Sequence, residues 1–177
     1  MDKIALTKSL DENTVRFIEL VKGLTKDEFE VNVNQKWSAG QDLVHLIKVL
    51  RIVNIGFTLP KPMVRLLFGA NQNESRSFED LEQVYKNALE DGAKAPTIYI
   101  PKPVSYNEKE YLIQRYASLN QSFIDKLNKH TAFELDSYRL PHPILGKVSF
   151  GELACFTSFH TSHHVESLKL KLAQLKA

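Results

Sequence analysis

Three capping-box candidates organise this chain, each a serine followed three residues later by Gln or Glu at the head of an apolar stripe with helical spacing. The pairs are Ser38 with Gln41, Ser105 with Glu108 and Ser149 with Glu152. Such a pair satisfies two free amides at a helix start reciprocally, so each marks where a helix begins. Behind Ser38 run Val44, Leu46, Val49, Leu50 and Val53, and behind Ser105 run Leu112, Tyr116, Leu119, Phe123 and Leu127. An earlier stripe, Leu10, Phe17, Val21 and Leu24, has the same three- or four-residue spacing. The spacing predicts four long helices, near residues 6–24, 38–56, 105–130 and 149–175. No strand pattern stands out, and the expectation is an all-α helical bundle.

The segments between are shorter. Residues 25–36 read as a polar connection. Residues 57–69 are apolar but broken by Pro60 and Pro62, which predicts a short helix entered through a rigid turn. Ser77 opens another helix to Asp91, with Phe78, Leu81, Tyr85 and Leu89 on one side. Residues 95–103 contain three prolines and read as extended or loop. The additional short helices therefore fall between the second and third long ones.

At 177 residues the chain suits one domain, 1–177, with a real core. A content of 43% hydrophobic and 25% charged residues excludes disorder and fibrous structure. The net charge is +2 with both signs interspersed, which makes no case for a nucleic-acid partner. The first residues lack the pattern of a signal peptide, and no apolar run is long enough to cross a bilayer. The one cysteine, Cys155, makes no internal disulfide, and the expected location is cytoplasmic, without a membrane partner. Residues 63–68 read as core or interface rather than as a membrane anchor. Together with the outward side of the first helix they suggest a homodimer.

Chemistry concentrates in the histidines, of which there are six. His160 and His164 lie about 40° apart on one helical face, shared with Leu153, Phe156 and Thr157. Two imidazoles one turn apart can grip one metal ion, the geometric reason a His-Glu-x-x-His helix works. A satisfied core pair fits that spacing equally well. His45, among Val44, Leu46 and Val49 on the second helix, offers the third ligand such a pair would need. His163 falls about 60° from His160 and reads as a flanking residue. His130, in a last helical turn, and His142, in a loop, read as dispensable for metal. Cys155, about 140° from His160, reads as packing. Glu152 reads as a cap. Asp42 could orient a ligand, but exposure near the helix start is the simpler reading. No catalytic acid or base is identified.

The element Trp37-Ser38-x6-His45-Leu46, with His142-Pro143-Ile144-Leu145-Gly146 and then His160-x-x-His163-His164, resembles the DinB/YfiT-like superfamily over nearly the full length. That resemblance implies a four-helix bundle in which the second and last long helices supply a three-histidine metal site, here His45, His160 and His164. Many members carry Gln three residues after the last ligand, where this chain has Ser167. An all-imidazole site suits zinc or nickel best, admits iron or manganese and suits magnesium poorly. Open coordination positions would make the protein a metal-dependent enzyme on a small-molecule substrate. It would be a hydrolase activating water, or a transferase activating a low-molecular-weight thiol. A non-catalytic metal- or ligand-binding bundle is the alternative.

Overall fold

The computed structural model describes residues 2–34, 36–71 and 75–175. Met1, and Gln35 of the 25–36 connection, lie outside them. Four long helices carry the fold: α1 (Lys3–Lys22), α3 (Ala39–Gly56), α6 (Lys109–Asn128) and α8 (Phe150–Leu175). Helix α1 packs on α6 and α8, and α3 packs on the same two, closing a ring around one apolar core. Phe17, Leu43, Tyr116, Phe123 and Leu168 are fully enclosed there. Phe17 meets Tyr116 edge to face at 5.9 Å, and the Tyr116 hydroxyl pairs with Thr161 Oγ1 at 2.9 Å. A buried hydroxyl is thus satisfied across α6 and α8, which fixes their relative rotation.

The reciprocal bonds of the Ser38–Gln41 box are present at the start of α3, and those of Ser149–Glu152 at the start of α8. The Ser105–Glu108 box first opens a single 3₁₀ turn, Tyr106–Glu108, which runs into α6. Between the second and third long helices lie α4 (Lys61–Phe68) and α5 (Phe78–Glu90), as the proline turn and Ser77 predict. Val64 anchors α4 in the core while Leu66 and Leu67 are exposed. Helix α5 lies across α8, with the Tyr85 ring 4.9 Å from that of Phe156. No single described helix is long and apolar enough to cross a membrane.

Four local features depart from the sequence reading. The 25–36 connection contains α2 (Lys26–Glu30), opened by a Thr25–Glu28 capping box. Phe29 of α2 packs so tightly on α3 that a Cβ at Gly40 would come within 2.7 Å of its ring. Residues 95–103 are not wholly extended: Thr97–Tyr99 form one 3₁₀ turn. It is closed by Tyr99 N on the Pro96 carbonyl at 2.8 Å and Ile100 N on the Thr97 carbonyl at 3.1 Å, so the flanking prolines are not asked to donate. A further short helix, α7 (Ala132–Ser137), starts on a Thr131–Glu134 box. An antiparallel hairpin then follows, β1 (Arg139–His142) with β2 (Gly146–Ser149). Pro141 sits in β1, tolerated because a two-stranded ribbon leaves each strand with an unpaired edge. Gly146 takes the positive φ of 73° at the turn. His142 therefore belongs to a strand rather than a loop. His130 lies just past the end of α6, buried against the rings of Phe57 and Phe150.

Candidate metal centre

Helix α8 packs against α3, and the inward faces of the two bring His45, His160 and His164 together. All three are buried, and one ligand nitrogen from each lies within 4.8 Å of the others. His160 Nε2 is 3.4 Å from His45 Nε2 and 3.3 Å from His164 Nε2. Nitrogens about 2.0–2.1 Å from a tetrahedral ion stand about 3.3 Å apart, so these separations fit an ion of that size.

Hydrogen bonding on the remote side of the rings says what the near side offers. His45 Nδ1 is 3.1 Å from the carbonyl oxygen of Tyr99, which can only accept, so Nδ1 donates and Nε2 keeps a lone pair. His164 Nδ1 donates to Asp42 Oδ1 at 3.2 Å, and its Nε2 is likewise left as a lone pair. His160 Nε2 faces both. With one proton at most it can satisfy one neighbour, and the other's buried lone pair is then left without a donor. A shared cation removes that conflict, and the donor set therefore fits a divalent metal ion.

Electrostatics favour the neutral form of two of the rings, His45 and His160. Burial, reinforced by the neighbouring His164, lowers the His45 pKa to about 4, against the opposing pull of the Tyr99 carbonyl and Asp42. Burial and the adjacent imidazoles push His160 well below the usual histidine range. At Asp42 burial alone would raise the pKa. The bond to His164 and the charge of Lys171 outweigh it and hold the carboxyl below its ordinary value. Lys171 pairs with Asp42 Oδ2 and also donates to the Trp37 carbonyl at 2.8 Å.

Asp42 is thus buried behind the cluster, and the expectation of exposure is wrong. The position of His45 explains it: Asp42 is one turn earlier on the inward face of α3. Lys171 and the Tyr99 carbonyl were not anticipated. Lys171 stands two turns after His164 and so shares its face of α8, a spacing visible in the sequence. A carbonyl delivered by a proline-flanked turn leaves no such trace. The other histidines stand apart from the cluster. His163 is partly buried beside Tyr85, its ring 5.7 Å from that of His164. His142 rests on Phe156, ring centroids 4.4 Å apart, and His130 lies at the other end of the core. Cys155 is buried, and burial pushes its thiol up to about 11, which suits packing and not nucleophilic attack. Glu152 caps α8 and pairs with Arg76.

The cluster opens onto a cavity of about 410 Å³. Trp37, Val49, Tyr85, Tyr99 and Phe156 form much of its wall, and among the described residues no carboxylate, ammonium or guanidinium lines it. Residues 9–168 match the DinB superfamily, a span that includes all three clustered histidines. No curated protein matches the chain.

Proposed function

We propose that this chain, which belongs to the DinB superfamily, holds a divalent metal ion on His45, His160 and His164 and uses it to act on an uncharged small molecule. The convergence of three Nε2 atoms, two with their lone pairs fixed from behind, carries this reading. Bound there, a zinc or nickel ion would supply Lewis acidity and make a coordinated thiol or water more acidic. The chain's own groups do the rest. Asp42 and the Tyr99 carbonyl hold two rings in the ligating tautomer, and Lys171 keeps the Asp42 carboxylate charged. The apolar cavity walls exclude water from the reacting volume.

Thiol transfer fits this cavity better than hydrolysis. Hydrolysis of an amide or ester requires a base for the attacking water and a proton for the leaving group. Besides the three clustered rings, the cavity lining offers only the imidazoles of His142 and His163 for that relay, with no carboxylate among the described residues. Addition of a low-molecular-weight thiol to a carbonyl or epoxide releases no separate fragment and needs no protein nucleophile, consistent with the inert Cys155. The C–S bond forms, the C=O π bond or one C–O bond opens, and the oxygen takes the electron pair and the thiol's own proton. A thiol co-substrate in turn implies a reducing compartment, the cytoplasm. The zinc-loaded and nickel-loaded protein should consume thiol in the presence of an uncharged electrophile at a rate well above that of the chelated protein. Ester or amide hydrolysis without thiol consumption would assign the site to the hydrolase class. Stoichiometric metal with neither activity would make it a binding bundle.

A further inference from the structure

His142 lines the same cavity as the three clustered histidines but is not one of them. Its Nδ1 accepts hydrogen bonds from two backbone amides of the hairpin turn, Ile144 at 3.2 Å and Leu145 at 3.0 Å. A ring nitrogen that accepts two N–H bonds carries no proton, so the proton of this imidazole sits on Nε2. The ring is braced on Phe156, which stacks on His160 with centroids 5.3 Å apart. One side chain therefore separates His142 from the metal cluster. Among the described residues nothing accepts a hydrogen bond from Nε2, and Nε2 is not among the sealed polar atoms without a partner. It is a donor that no described residue engages, on a ring that lines the cavity and is held by the turn of a hairpin rather than by a flexible stem.

An N–H facing an apolar volume without a partner is costly, and a ligand atom that accepts from it recovers that cost. The absence of charged groups from the described lining disfavours an anionic or cationic acceptor there. We propose that His142 Nε2–H is the substrate-orienting donor of this cavity, receiving the carbonyl or epoxide oxygen of an uncharged molecule whose remaining body is apolar. The inference rests on reading the cavity as the substrate site, and it is independent of which ion the cluster holds.

Matched probes test it on the full chain, with and without chelator: acetophenone, its hydrocarbon analogue ethylbenzene, and benzoate. One hydrogen bond of ordinary strength corresponds to roughly tenfold in affinity, so chelated wild type should prefer acetophenone to ethylbenzene by about that factor. His142→Asn retains an oxygen for the turn amides but loses the distant donor. It should bind ethylbenzene as wild type does and lose the preference for the ketone. On wild type alone, long-range proton–nitrogen NMR should show His142 Nδ1 bare and Nε2 protonated, with the Nε2 signal moving on addition of acetophenone. A ketone preference that survives in His142→Asn, tighter binding of benzoate than of acetophenone by the chelated protein, or a protonated Nδ1 would overturn the proposal. Zinc titration of the same samples separates the two readings. Ketone preference without zinc binding leaves this inference and removes the metal; zinc binding without the preference does the reverse.

Discussion

The tautomer of His164 is set from outside the cluster, by a carboxylate that is itself held by a buried ammonium. Asp42 accepts from His164 Nδ1 with one oxygen and from Lys171 with the other. Both oxygens of a buried anion are thereby used, which is what makes its burial tolerable. Such an outer partner typically contributes 10–100-fold to metal affinity by orienting its ligand. Asp42→Asn should therefore weaken zinc binding by about that factor, because the amide can turn its N–H toward the ring and cancel the preference. Lys171→Met removes the cation but leaves the acceptor, and should cost stability more than affinity. Competition titration against a chelator of known strength measures both. Equal losses of affinity in the two variants would mean that the pair is structural and does not orient the ligand.

Elements differ in how plainly the sequence announces them. The starts of α3, α5 and α8 were legible because a capping serine and its partner are local, and a long apolar stripe follows each. The same signal sits at Thr25–Glu28 and Thr131–Glu134, but the helices behind it are too short for a stripe to confirm. The hairpin leaves no such mark, because Pro141 and Pro143 look like loop and four-residue strands carry too little alternation to outweigh two prolines. The ligand triad was legible because His160 and His164 share a helical face. Its supports were not, because Tyr99 contributes only backbone and Asp42 could not be told from an exposed helix-start acid. Glu152 shows how a legible cap can carry more than its helix. Its carboxylate accepts from Ser149 N at 2.7 Å and from Arg76 Nε and the Arg76 amide, each at 2.9 Å, tying the segment before α5 to α8. Glu152→Ala should lower stability by about 2 kcal/mol, combining a lost cap with a lost charged partner. Metal stoichiometry should be unchanged, since the residue lies two turns from His160. A thermal midpoint within error of wild type would contradict this account of the cap.

On the scale of the whole molecule, the core is built around imidazoles that fold in the neutral form. Burial first, then the charge of Arg76, lowers the His142 pKa to about 4, and burial with His164 brings His45 to about the same value. An unfolded histidine titrates near 6.5, so between about pH 6.5 and 4 the unfolded chain takes protons that the folded chain refuses. Stability of the metal-free protein must therefore fall as pH is lowered through that window, by on the order of 3 kcal/mol for a residue such as His142. Below it, protonation of Asp42 and Glu152, whose pKa values are held low in the fold, removes more. Urea midpoints at pH 7.5, 5.5 and 4.5 should decline in that order, and a flat series would show that these rings titrate normally. The same neutrality is what a metal ion requires of its ligands, so the measurement that bears most directly on the whole account is zinc titration at neutral pH of wild type and four single variants. One ion per chain is expected for wild type and for His163→Ala, with binding lost or severely weakened in His45→Ala, His160→Ala and His164→Ala. Stoichiometric binding retained in any of those three, or lost in His163→Ala alone, would contradict the assignment of the site.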